Sequence, residues 1–245
     1  SLPAATDGLI LDNGLLRAVF DSFGHVSSLV DLRSGREMAV PDDPIGALHL
    51  HVDEPRHYDA WNIDRDYLER REVLDRADSV TVEESAIVVH RTFGESAVTL
   101  RWTMPADDAQ LDLRVDVDWY ETRKLLKVSW PLDLRAPHVT AGVQLGVQHR
   151  ALHENTSWEQ ARYEDWFHGF VHTAEGTDVD DDQRGRVERR RHHLARPGDA
   201  RDVLGGTERD RAVARDAGTR GVRCMRELGH LLVHPRTLRI RAPRA

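Results

Sequence analysis

Leu111-Asp-Leu-Arg-Val-Asp-Val-Asp-Trp119 decides the fold class. Leu111, Leu113, Val115, Val117 and Trp119 fall on one side of an extended chain; Asp112, Arg114, Asp116 and Asp118 fall on the other. A period of 2 means a strand with one buried and one wet face. Runs at 15–20, 26–30, 48–52, 86–92, 97–104, 125–130 and 139–147 are β-branched or leucine-rich and read the same way. Turn residues bound them, as in Asp21-Ser-Phe-Gly24, Arg33-Ser-Gly35, Phe93-Gly-Glu95 and Pro105-Ala-Asp-Asp108. Many short strands at even spacing predict an all-β, antiparallel sandwich. No long helix is expected before residue 160, and the chain has no internal repeat and no glycine-rich phosphate loop. Residues 53–78 break the rhythm, and an excursion of that length between strands marks a functional loop.

Composition narrows the function. A net charge of −8 argues against a general nucleic-acid binder. No apolar stretch approaches the roughly 20 residues that span a bilayer, so no membrane partner is expected. The single cysteine, Cys224, excludes an internal disulfide and suits a reducing compartment. The first residues lack a basic stretch followed by an apolar run, so no signal peptide is expected and the location reads as cytoplasmic.

The densest chemistry lies in His149-Arg-Ala-Leu-His-Glu-Asn-Thr-Ser-Trp-Glu-Gln-Ala-Arg-Tyr-Glu164. No apolar period runs through it, so burial does not explain its composition. Donors and acceptors beside a flat indole suit a sugar, whose hydroxyls need directional bonds and whose C–H face lies against a ring. The competing reading is a surface loop with a tryptophan anchor. Asn155-Thr-Ser also has the form of a glycosylation sequon, which carries no weight without a secretory signal.

This run resembles the H-x-N-T-S-W-D-x-A-R-F-E stretch of glycoside hydrolase family 38, the zinc-dependent α-mannosidases of the cytosolic and vacuolar branch. His153, Asn155, Trp158, Arg162 and Glu164 match it, with Glu159 for aspartate and Tyr163 for phenylalanine. Leu11-Asp-Asn-Gly-Leu-Leu-Arg-Ala-Val-Phe-Asp21 resembles the first strand of that family's C-terminal β-domain. Asp53-Glu-Pro-Arg-His-Tyr-Asp-Ala-Trp-Asn-Ile-Asp64 resembles its D-x-P-x-x-W-D-A-W-D-I-D segment, with Tyr58 for tryptophan and Asn62 for aspartate. Val117-Asp-Trp-Tyr-Glu-Thr-Arg-Lys-Leu-Leu-Lys-Val128 resembles its V-D-W-x-E-x-x-K-L-L-K-V. The resemblance implies a galactose-mutarotase-like supersandwich, present here in part. It implies a retaining mannosidase acting on terminal α-linked mannose in an oligosaccharide. It places the nucleophile and the zinc ligands in an N-terminal catalytic domain outside this chain. On that basis this chain binds no metal, carries no catalytic residue, and does not turn over by itself.

The candidate sugar-binding residues are therefore Asp59, Trp61, Asp64, His149, His153, Asn155, Trp158, Arg162 and Glu164. Each has a structural alternative. Asp59 and Asp64 suit turn or capping acceptors around a pinned Trp61. Arg162 and Glu164 suit an ion pair at a domain joint. His49 and His51 share a strand face, but a zinc site needs three or four converging ligands. His149 and His153 are four apart, a spacing that helps only on a helix. Two other functions remain open. One is a free-standing carbohydrate-binding module. The other is a mutarotase-like epimerase built on His149, His153 and Glu164.

The two ends of the chain differ. Residues 1–170 hold every aromatic ring, with 17 basic and 30 acidic side chains; residues 171–245 hold none, with 17 arginines, no lysine and 12 acids. Residues 1–176 are expected to be part of the β-domain. Residues 177–245 are expected to be a structureless charged tail or the product of a shifted reading frame. An incomplete sandwich would expose sheet edges, so the chain is expected to fold poorly or to self-associate into homo-oligomers.

Overall fold

In the computed structural model, residues 9–58, 62–173, 222–225, 230–232 and 238–241 are described. The strands are Ile10–Asp12 (β1), Leu16–Phe20 (β2), Val26–Asp31 (β3), Arg36–Glu37 (β4), Leu48–Val52 (β5) and Arg71–Val73 (β6). Then come Ser79–Glu83 (β7), Ala86–Phe93 (β8), Ser96–Thr103 (β9), Gln110–Asp118 (β10) and Lys124–Ser129 (β11). The last are His138–Val143 (β12), Gly146–Ala151 (β13), Glu164–Phe167 (β14), Val171–His172 (β15), Val222–Met225 (β16), His230–Leu232 (β17) and Leu238–Arg241 (β18). The helical elements among the described residues are a 3-10 turn, Arg65–Glu69, and a single α-turn, Ser157–Gln160 (α1).

The strands form antiparallel sheets in the orders β1-β2-β3-β4, β18-β10-β9-β8-β7, β14-β16-β17-β11-β5-β6 and β13-β12-β15. The protein is an all-β antiparallel sandwich. The alternation read in the sequence sets its faces. Leu111, Leu113 and Val115 of β10 are buried while Arg114, Asp116 and Asp118 are exposed. One apolar core joins β2, β3, β5 and β8–β11. At its centre the fully buried Trp102 meets Phe20 edge-on at 5.6 Å and Trp130 at 5.5 Å between ring centroids.

Gly46 lies beneath that indole at φ +90°, where a Cβ would stand 2.5 Å from Trp102 Cζ2. Gly46→Ala combines backbone strain with overpacking, and we expect it to destabilise by about 2–4 kcal/mol. A urea midpoint unchanged by this substitution would show that the indole can retreat.

One expectation needs correction. The run 139–147 is not one strand. It is β12, a Gln144-Leu145 turn, and the start of β13, with Val143 opposite Gly146. The turn was hidden because Leu145, at φ +64°, occupies a position that glycine or asparagine usually takes. Within 177–245 the described residues are three short strands: β16 pairs with β14, β17 with β11, and β18 with β10. The expectation of a structureless tail or a shifted reading frame for the rest of 177–245 lies outside the described residues.

Candidate functional site

β5 and β11 lie side by side, with Lys127 opposite His49 and Leu125 opposite His51. Period 2 sends Leu48, Leu50, Leu126 and Val128 into the apolar core and leaves His49, His51 and Lys127 on the other face. That face is buried too, because residues 62–70 fold across it with Tyr67 innermost, only 1% exposed. The Lys127 ammonium donates to the Tyr67 hydroxyl at 2.5 Å and sits 4.5 Å from the ring centroid. It also pairs with Glu164, which accepts from the Tyr67 hydroxyl as well. Burial, then the neighbouring Glu164 carboxylate, push the Tyr67 phenol well above its ordinary range, so it stays a donor.

β14 and β11 stand three places apart in their sheet, a gap of about 14 Å if the sheet were flat. Their side chains nevertheless meet, so this face is concave. Two acceptors remain buried without a partner among the described residues: His51 Nε2 and Glu164 Oε2.

The 153–164 segment lies against residues 62–70. The Tyr163 hydroxyl donates to the Ile63 carbonyl, and Arg65 stands 3.9 Å from Glu154. Asp64 is a turn acceptor, bonded by the Arg56 amide at 3.0 Å, the Arg56 Nε at 2.8 Å and the Asn62 amide at 2.9 Å. The bonds from Arg56 hold its carboxyl below the usual range. α1 is fixed by a capping box in which Thr156 and Glu159 bond each other's backbone. This box mounts Trp158 outward, 79% exposed, with Asn155 and Arg162 also exposed. His153 stands 3.2 Å from Glu159. On the neighbouring loop Tyr58 is 78% exposed and held at φ +59°.

The candidate residues are thus partly gathered. Asp64, His153, Asn155, Trp158, Arg162 and Glu164 belong to the two packed loops. His149 is on β13, bonded to Thr140 at 2.9 Å and edge-on to His138 at 5.1 Å between centroids. Asp59 and Trp61 lie outside the described residues. Glu164 pairs with Lys127, not with Arg162 as an ion-pair reading of the sequence would have it. Among the contacts described, His149 meets Thr140 and His138, and His153 meets Glu159. Sequence reading missed Lys127 and Tyr67. Lys127 had a signal, a lone cation in the buried row of a strand; Tyr67 had none.

The described residues do not fit a zinc site. No group of three His, Cys, Asp or Glu side chains among them is arranged to hold a metal. His51 Nδ1 is committed to the Tyr67 carbonyl at 3.1 Å.

Residues 11–179 match the glycosyl hydrolases family 38 C-terminal domain. The chain belongs to this family. Alpha-mannosidase 2C1 of Mus musculus is 34% identical over 179 residues, which are 69% of this chain and 17% of that protein. Alpha-mannosidase 2C1 of Homo sapiens is 32% identical over the same shares. The chain therefore spans about a sixth of the length of these relatives. An alpha-mannosidase from Enterococcus faecalis V583 shares the fold, with a TM-score of 0.52, 13% identity, and coverage of 68% of this chain and 22% of that one. Two of the four segments that resemble family 38 meet at the buried cluster, 117–128 through Lys127 and 153–164 through Glu164.

Proposed function

We propose that this family 38 domain packs on the catalytic domain of a retaining, zinc-dependent α-mannosidase and completes its sugar cleft. The substrate is a mannose-containing oligosaccharide in the cytoplasm, and the zinc and the nucleophile belong to the catalytic domain. The observation that carries this reading is the outward Trp158. Its capped turn leads into Tyr163 and Glu164, which bond Ile63 and Lys127, with His153, Asn155 and Arg162 on the same loop. An indole face held rigidly beside hydrogen-bonding groups is what a pyranose needs. Trp158 contributes little to the fold, since most of it is in water.

The test is kinetic. This chain alone gives no turnover of an aryl α-mannoside with zinc or cobalt. The coding sequence extended to include the catalytic domain does. In that longer protein Trp158→Ala raises KM about five- to tenfold, the loss of about 1–1.5 kcal/mol of ring contact. Its melting temperature moves by no more than about 1 °C. Turnover by the chain alone, or an unchanged KM, overturns the reading. Saturable mannoside binding by this chain, with no activity in the longer protein, favours the free-standing carbohydrate-binding module.

A further inference from the structure

The polar face of β5 and β11 is closed by residues 62–70, and its tethers are few. His51 Nδ1–H donates to the Tyr67 carbonyl, and Lys127 and Glu164 hold the Tyr67 hydroxyl. The Val52 amide donates to the Arg70 carbonyl at 3.0 Å. Donation from Nδ1 makes Nε2 of His51 an acceptor, buried and without a partner among the described residues. A proton added there puts a charge in a closed space. His49, 6.2 Å away between ring centroids, is buried beside it. The charged groups around the pair are Lys127 on β11, Arg71 on β6, and His25. Of the nearby acids, Glu164 on β14 is engaged by Lys127, and Asp53 lies just past the end of β5.

We propose that His49 and His51 form an acid-sensitive latch: protonating them releases Tyr67 and residues 62–70 from the sheet while the apolar core stays closed. The core lies on the opposite face of the same strands, and the titratable group in its row on β5 and β11 is Lys124, at the very start of β11. Burial, then the charges of Arg71, His51 and Lys127, bring His49 down to about 4. Burial also brings His51 down to about 4, aided by Lys127 and Arg71 and opposed by its bond to the Tyr67 carbonyl. Once released, the two rings return to about 6.5. The closed form therefore prefers the neutral rings. Its advantage is complete above pH 6.5 and falls as the pH drops toward 4.

The test is amide exchange on the full chain, corrected for the intrinsic rate at each pH. Between pH 7 and 5, protection of the Tyr67, Arg70 and Val52 amides is expected to fall at least tenfold, while Leu100 and Val115 keep theirs. In His51→Gln, whose side-chain amide keeps a donor for the Tyr67 carbonyl, and in His49→Gln, the loss shifts to lower pH by at least half a unit. In the double variant it is absent down to pH 5. Equal protection of the cover at pH 7 and 5 in the unsubstituted chain overturns the proposal. So does simultaneous loss of the core amides, or a release pH that neither single substitution moves.

Discussion

Replacing Lys127 by alanine is expected to lower the free energy of unfolding by about 3–5 kcal/mol. The lysine is 1% exposed, so its charge is balanced by the groups it touches and not by water. Removing it leaves Glu164, itself only 10% exposed at the side chain, as a buried anion without its cation. The Tyr67 hydroxyl loses its donor in the same step. The pair as a whole is worth much less than this, because both charges were desolvated to form it. The double substitution Lys127→Met with Glu164→Gln should therefore cost markedly less than Lys127→Ala alone. Urea unfolding of the three proteins checks this. A loss below about 1 kcal/mol for Lys127→Ala would mean that water already reaches the pair.

The second large effect is expected at Trp102. Trp102→Ala removes the centre of the core and should cost about 3–5 kcal/mol through lost burial and the cavity left behind. The indole packs on Phe20 of β2 and on Trp130, just past the end of β11, which cannot both collapse inward. Its Nε1 is buried and finds no partner among the described residues. Trp102→Phe therefore removes an unsatisfied donor along with some volume, and should cost less than half as much. Equal losses for the two substitutions would mean that the ring's volume is not what the core uses.

The fold was legible because its strands carry their faces openly. β10 could be read from Leu111 to Asp118 without any other residue, and β5 matches the run 48–52. The hairpin at 139–147 was not legible, because a leucine stands where the turn residue should. The site was half legible. The exposed loop residues announced themselves by polarity without period. The buried cluster did not, because Lys127, Tyr67 and Glu164 lie 37 to 97 positions apart and meet only when the sheet curves. His49 and His51 could be placed on one strand face, but nothing local shows that a loop buries that face.

The pair β5–β11 separates two unlike layers, leucine and valine on one side, imidazole, ammonium and phenol on the other. Both layers lose strength in the cold, for different reasons. The apolar layer weakens on cooling, as the drive to leave cold water fades. The ionic layer weakens less on heating, because the hydration that Lys127 and Glu164 give up is itself worth less in hot water. One strand pair thus carries, back to back, a layer whose gain on warming levels off and a layer whose desolvation cost keeps falling.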